Sequence, residues 1–219
     1  MPSSRFALFD LDGTLTRRDS FTAWTLGLLR WQPLRVLRVP LLLGAVLRYA
    51  RQRDRGALKG AVLRWLFGGL PRKLIDDWSQ QFARELVARG MFADGLTALR
   101  AHLLADEEVV LLSASPDVYV PFIGEALGVK RVICTQVRWN GEHLDGRLAS
   151  PNRRGAEKAR VLTALRAERS GQSVIGYGNS PADLDHLRLC EEAVYVNAPP
   201  ALAHQLKQDV PQMRHVRWK

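Results

Sequence analysis

Phe6-Ala7-Leu8-Phe9-Asp10-Leu11-Asp12-Gly13-Thr14-Leu15-Thr16 decides how the rest of this chain is read. The apolar run Phe6 to Phe9 predicts a buried strand. It stops at two carboxylates spaced i, i+2, and alternate residues of an extended chain point to one side, so Asp10 and Asp12 share a site at the strand's carboxyl end. Gly13 permits a sharp turn, and Thr14 offers a hydroxyl or its backbone there. Two like charges held this close require a cation or a shared proton.

Working outward, residues from about Phe21 to about Gly90 read as helical. Trp24, Leu28 and Leu29 recur at helical spacing, as do Leu74, Trp78, Phe82 and Leu86. Pro33, Pro40, Gly68-Gly69 and Pro71 divide the region into several helices. From Val109 the pattern alternates between strands and helices. Strands are expected at Val109 to Leu112, Arg131 to Val137, Ser173 to Tyr177 and Ala193 to Val196. Helices are expected at about Pro116 to Leu127, Gly155 to Glu168 and Pro181 to Cys190. Asn140-Gly141 reads as a hairpin turn returning through Leu144 to Leu148. This alternation predicts an α/β fold with a parallel sheet and right-handed crossovers. The helical region is an insertion after the first strand, giving a core of residues 1–16 and 91–219 and a cap of 17–90. Residues after Val196 carry no motif.

With 219 residues, 47% of them apolar, the chain suffices for one core with an insertion or for two small domains. Cys134 and Cys190 stand far apart without metal-site spacing, which argues against a disulfide or zinc and for a cytoplasmic setting. The opening MPSSRFALFD lacks the features of a secretory signal. The net charge of +10 is concentrated: from Arg17 to Lys73 thirteen Lys and Arg face two acids, Asp19 and Asp54. Such a segment either meets an anionic partner or is a solvated basic face. No recognised nucleic-acid motif accompanies it, so no nucleic-acid partner is expected.

Three further motifs sit at strand ends. Leu111-Leu112-Ser113-Ala114-Ser115-Pro116 reads as a strand, a small turn and a helix start, with Ser115 as N-cap and Pro116 at the first helical position. A helix start of this kind binds phosphate, or its serines merely cap the helix. Gly155-Ala156-Glu157-Lys158 opens a helix after a polar loop. Gly176-Tyr177-Gly178-Asn179-Ser180-Pro181-Ala182-Asp183 follows a strand, and Ser180 with Asp183 also reads as a capping box.

Taken in order, these four motifs resemble those of the haloacid dehalogenase-like (HAD) phosphohydrolases, over about Phe6 to Val196. The resemblance implies a Rossmann-like parallel sheet flanked by helices, with an inserted helical cap. It implies Mg²⁺-dependent phosphomonoester hydrolysis through an aspartyl-phosphate, with Asp10 the nucleophile and Asp12 the general acid and base. Ser113, Lys158 and main-chain amides near Leu11, Asp12 and Ala114 would hold the phosphoryl group. Asp10, the Asp12 carbonyl, Asn179 and Asp183 would hold Mg²⁺. Asn179 departs from the family pattern, which usually has an Asp there; its amide oxygen suits a hard cation but brings no charge.

The helical cap resembles the subgroup that contains phosphoserine phosphatase, and Asp19 stands about where that enzyme has a substrate-contacting acid. Asp19 equally reads as a helix cap before Phe21. The segment Arg30-Trp31-Gln32-Pro33-Leu34 through Arg48 is similar to the cap of family members that dephosphorylate phosphatidylglycerophosphate. Its uncharged run Val39 to Leu47 is too short to span a bilayer of about 30 Å. Flanked by basic residues, it suits an anionic membrane surface, or else a helix buried in the cap's own core. The substrate implied is a phosphorylated lipid, with a soluble phosphomonoester such as phosphoserine or histidinol phosphate as the alternative. A weakened HAD protein working at the membrane surface is a further one.

Overall fold

The computed structural model describes residues 5–219, so the first four positions of the expected core segment lie outside the described residues. Its centre is a six-stranded parallel sheet in the order β3-β2-β1-β6-β7-β8. β1 (Arg5–Phe9) is flanked by β2 (Glu108–Pro116), which pairs with β3 (Arg131–Thr135), and by β6 (Ser173–Gly178). Beyond β6 come β7 (Glu192–Val196) and β8 (Met213–Val216). Phe6 and Leu8 pack on one face with Val110, Leu112, Leu162 and Leu165, while Ala7 and Phe9 pack on the other. That double burial explains why the strands read as unbroken apolar runs.

Between β1 and β2 the chain is helical. α1 (Ser20–Trp31) leads into a ten-residue 3₁₀ segment, Pro33–Leu42. Then follow α2 (Leu43–Gln52), α3 (Arg55–Val62), a π-helical turn at Leu63–Phe67, α4 (Arg72–Arg89) and α5 (Ala93–Leu104). The interior of this layer is aromatic: Trp24 Nε1 donates to Ser79 Oγ at 2.9 Å, and Trp78 Nε1 to the Trp24 carbonyl at 3.2 Å. Both indoles are thereby buried without an orphaned donor. The chain leaves and re-enters the core side by side. Thr16 bridges Met91, Arg17 N donates to Gly90 O at 2.9 Å, and Phe92 N to Leu15 O at 2.9 Å.

Three expectations need correction. The predicted helix start at Ser115 and Pro116 is instead the end of β2, and α6 (Val120–Leu127) begins later. The register shifts between Leu112 and Pro116, so Ser113 to Ser115 form a bulge and Pro116 pairs with Thr135. A proline is tolerated at such an irregularity because no ladder N–H is required there. The predicted strand 131–137 divides: β4 (Val137–Asn140) leaves the main sheet and pairs antiparallel with β5 (His143–Leu148). Pro181 to Cys190 forms only a 3₁₀ turn, Pro181–Asp183, and the short α8 (Leu184–Leu187). α7 (Ala156–Glu168) follows expectation. Residues after Val196, which carry no motif, form α9 (Pro200–Asp209) and the sixth strand, β8.

Candidate active site

The carboxyl ends of β1, β2 and β6 and the first turn of α7 meet at one edge of the sheet. Open α/β sheets bind ligands at this edge, where strand order reverses about β1. Lys158 is fully enclosed there. Its Nζ lies 2.5 Å from Asp10 Oδ1 and 2.7 Å from Asp183 Oδ1, one cation between two buried carboxylates. Burial alone would lower the Lys158 ammonium, but the two carboxylates override it and hold it above its ordinary value. Burial works against the charged form of Asp183 too, yet Lys158 keeps that carboxyl well below the usual range. Asp10 comes off worse: burial, with Asp183 close by, pushes it up to about 7 despite Lys158.

The remaining oxygens are also engaged. Thr14 Oγ1 donates to Asp10 Oδ2 at 2.9 Å and lies 3.5 Å from Asn179 Oδ1, so one hydroxyl links Asp10 with Asn179. Asp183 Oδ2 accepts from Ser180 Oγ at 2.7 Å and from the main-chain N–H groups of Ser180 and Asn179. The capping box and the lysine pair therefore coexist at Asp183. Gly13 is needed at its position: it has φ +84°, and a Cβ there would sit 2.1 Å from Asn179 Nδ2.

Asp12, which lines the same cleft, has a separate set of partners. Its Oδ2 accepts from Ser115 Oγ and its Oδ1 from Ser20 N, each at 2.7 Å. Burial raises the Asp12 carboxyl above its ordinary value, and those two donors pull against the rise. Ser20 Oγ in turn meets the Tyr119 hydroxyl at 2.9 Å. Asp19 caps α1, accepting from Thr22 N at 2.7 Å, and also lines the cleft. The two serines of β2 exchange the expected prominence. Ser113 is fully buried and accepts from Ser115 N at 3.1 Å, while Ser115 and Ala114 line the open cleft. Leu11 is buried, its carbonyl accepting from Thr14, Leu15 and Thr16.

The cleft over these groups measures about 670 Å³. Five cations that the four motifs do not include line it: Arg17, Arg18, Arg55, Lys59 and Arg154. Lys59, from α3, donates to the Ala114 carbonyl and lies 5.6 Å from the Phe21 ring centre. Burial lowers it to about 8, against the pull of Asp12 and Asp19. Nothing in its local sequence distinguishes it from the other basic residues of the insert; only the tertiary fold brings it near Asp12.

Among the described residues no three His, Cys, Asp or Glu side chains gather into a metal site of their own. Among the cleft's oxygen donors are one carboxylate, Asp10, and one amide, Asn179, joined through Thr14. An all-oxygen set with few protein ligands fits Mg²⁺, which keeps several waters.

The family model for haloacid dehalogenase-like hydrolases matches residues 7–188 of this chain. Protein CicA of Caulobacter vibrioides is 30% identical over 197 residues, covering 85% of this chain and 83% of that protein. A histidinol-phosphatase of Neisseria meningitidis serogroup C is 24% identical over 219 residues, covering 92% and 94%. Among solved structures, phosphoserine phosphatase in its apo form superposes with a TM-score of 0.65 at 13% identity, covering 98% of this chain and 94% of that one.

Proposed function

The chain belongs to the haloacid dehalogenase-like hydrolases and is a phosphatase of that family; from that premise we propose that it hydrolyses phosphomonoesters through an aspartyl-phosphate on Asp10, with Mg²⁺ bound, and that its substrate is a membrane lipid phosphate such as phosphatidylglycerophosphate. The observation that carries the chemistry is a pair of carboxylates that line one cleft and are held by different partners. Asp10 is locked by Lys158 and Thr14 at the end of β1, and Asp12, whose carboxyl burial raises above its ordinary value, is held by Ser20 and Ser115.

In this reading an Asp10 carboxylate oxygen attacks phosphorus as the bond to the leaving oxygen breaks. Asp12, protonated at the outset, gives its proton to the departing alkoxide. It then takes a proton from the water that attacks phosphorus, releasing inorganic phosphate and restoring Asp10. Ser115 and Ser20 hold Asp12 aimed at the cleft through both exchanges. Lys158 and main-chain N–H groups of the Leu11–Asp12 and Ser113–Ala114 turns balance the phosphoryl charge, with Ser113 supporting that turn from beneath. Asp10, Asn179 and the Asp12 main-chain oxygen would hold Mg²⁺, with Asp183 completing the site through Lys158 and the Asn179 N–H. The ion would screen the approach of one anion to another and polarise the phosphoryl oxygens.

Residues 17–90 act as a substrate-selecting cap. The cations of the cleft suit a leaving group that carries a second negative charge, as a phosphodiester-linked lipid headgroup does. Leu26 and Tyr49 on the same wall suit an apolar continuation. A soluble phosphomonoester is the second reading, favoured by the name of the Neisseria relative.

Phosphate release with Mg²⁺ from phosphatidylglycerophosphate, histidinol phosphate and phosphoserine, measured side by side with Asp10→Asn as blank, tests both parts. Turnover of the lipid above the other two, and none by Asp10→Asn, is the expected outcome. Preference for a small substrate would retire the lipid, and full activity of Asp10→Asn would retire the nucleophile.

A further inference from the structure

We propose that the arm made by the 3₁₀ segment Pro33–Leu42 and α2 is a docking face for an anionic phospholipid bilayer, which it meets without crossing. Twenty residues of this arm contribute no buried side chain, although more than half of them are apolar. The apolar residues are turned outward by the helix type. In a 3₁₀ helix residues i and i+3 eclipse, and runs beyond about four residues are uncommon. Arg35 and Arg38 therefore share one row, and that row faces the protein: Arg35 Nη1 donates to the carbonyls of Gly68 at 2.9 Å and Leu66 at 3.2 Å, and Arg38 Nη1 reaches Gly68 O at 3.4 Å. The neighbouring row, Leu34, Leu37 and Pro40, is forced outward, with Leu34 80% and Leu37 78% exposed. α2 continues the face at helical spacing through Leu43, Val46 and Leu47, all exposed.

A monomer does not ordinarily leave so much contiguous apolar surface in water. The charge pattern selects its partner. From Ser20 to Arg53 there are six arginines and no acid. Arg35 and Arg38 turn to Gly68, but Arg48, Arg51 and Arg53 are exposed; a second copy meeting the same face would set these against their equivalents, whereas anionic headgroups neutralise them. Trp31 and Trp65, both partly exposed, suit the headgroup level. No helix among the described residues is long and apolar enough to cross a membrane, which leaves the arm to lie in the interface.

The arm also borders the chemistry. Tyr49 of α2 lines both the catalytic cleft and a second cavity of about 610 Å³, at which Arg48, Arg64 and Arg147 gather. A bilayer on this face thus brings lipid phosphates to the cleft. The inference deepens the lipid reading above, and its test does not depend on turnover.

Sedimentation with vesicles of phosphatidylglycerol and phosphatidylcholine, against phosphatidylcholine alone, is the experiment. The variants are Leu34→Glu/Leu37→Glu/Leu47→Glu and Arg48→Gln/Arg51→Gln, each checked by circular dichroism and thermal unfolding. The protein should sediment with the anionic vesicles and not the neutral ones. The triple variant should partition at least about tenfold less with an unchanged unfolding temperature, and the arginine variant should lose much of its salt sensitivity. Equal or absent binding to the two vesicle types, or a triple variant that binds like the parent, would overturn the proposal. A parent dimer that the triple variant dissolves, without vesicle binding, would assign the face to a second copy instead.

Discussion

His186 sits fully buried within α8, with no hydrogen-bond partner for either ring nitrogen among the described residues. Burial, with Lys158 adding to it, lowers the imidazole to about 3 from 6.5, and Asp183 only partly opposes this. A folded value below the unfolded one means that the unfolded chain binds the extra proton inside that window. Stability from neutral His186 is therefore complete above about 6.5 and falls as pH drops, by at most about 1.4 kcal/mol per pH unit. Urea unfolding at about pH 7 and about pH 5 should show the loss, and His186→Leu should flatten it. Lys59 makes a second case. Lowered to about 8, it is a cation below that pH and fades above it. Lys59→Met should raise KM for a doubly charged phosphomonoester by about tenfold with kcat within about twofold. With a phosphomonoester whose leaving group is neutral, KM should barely move.

The hairpin β4–β5 shows what an element can do away from its own sheet. Leu144 exchanges main-chain hydrogen bonds with Gly69 and Leu70, and Arg72 lies 3.8 Å from the Trp139 ring centre, so the hairpin braces the helical insert. Gly146 makes the contact feasible: it has φ +85°, and a Cβ there would meet Arg64 N at 2.5 Å and Arg64 Cα at 2.6 Å. Gly146→Ala should cost about 2–3 kcal/mol in chemical unfolding, because both the conformation and the backbone contact resist the methyl group. The Asn140-Gly141 turn and the strands around it could be read from local signals, yet their departure from the main sheet could not. Asp10, Asp12, Lys158 and Asp183 were legible because each follows a strand or opens a helix in a recognisable order. Ser115 was legible only as a serine, since its bond to Asp12 depends on a bulge that a Ser-Pro pair disguises as a helix cap. Lys59 was not legible, because α3 comes to Ala114 only through tertiary packing.

At the scale of the whole molecule, one buried cation joins distant parts of the chain. Lys158 of α7 neutralises Asp10 of the β1 end and Asp183 of the turn after β6. Lys158→Met should destabilise the protein by about 3–5 kcal/mol, read by thermal or urea unfolding, because two enclosed carboxylates would lose their counter-charge. Asp183→Asn should recover part of that loss in the same background. The late segment that local patterns left blank proves structural: Asn197 N donates to Val216 O at 2.9 Å, and Lys219 N to Asp94 Oδ2 at 2.8 Å, tying β8 and the residues after it to α5.

The placing of β1 in the middle of the sheet also bears on how the protein is made. Ala7 pairs on one side with Val109 and on the other with Ile175. At roughly 5–20 residues per second, Ile175 leaves the ribosome some ten to thirty seconds after Ala7. For that interval the strand that ends at Asp10 has one edge without its partner, while the individual helices of the insert can already form. The newborn chain thus begins its helical layer before the central strand of its sheet can be closed in on both sides.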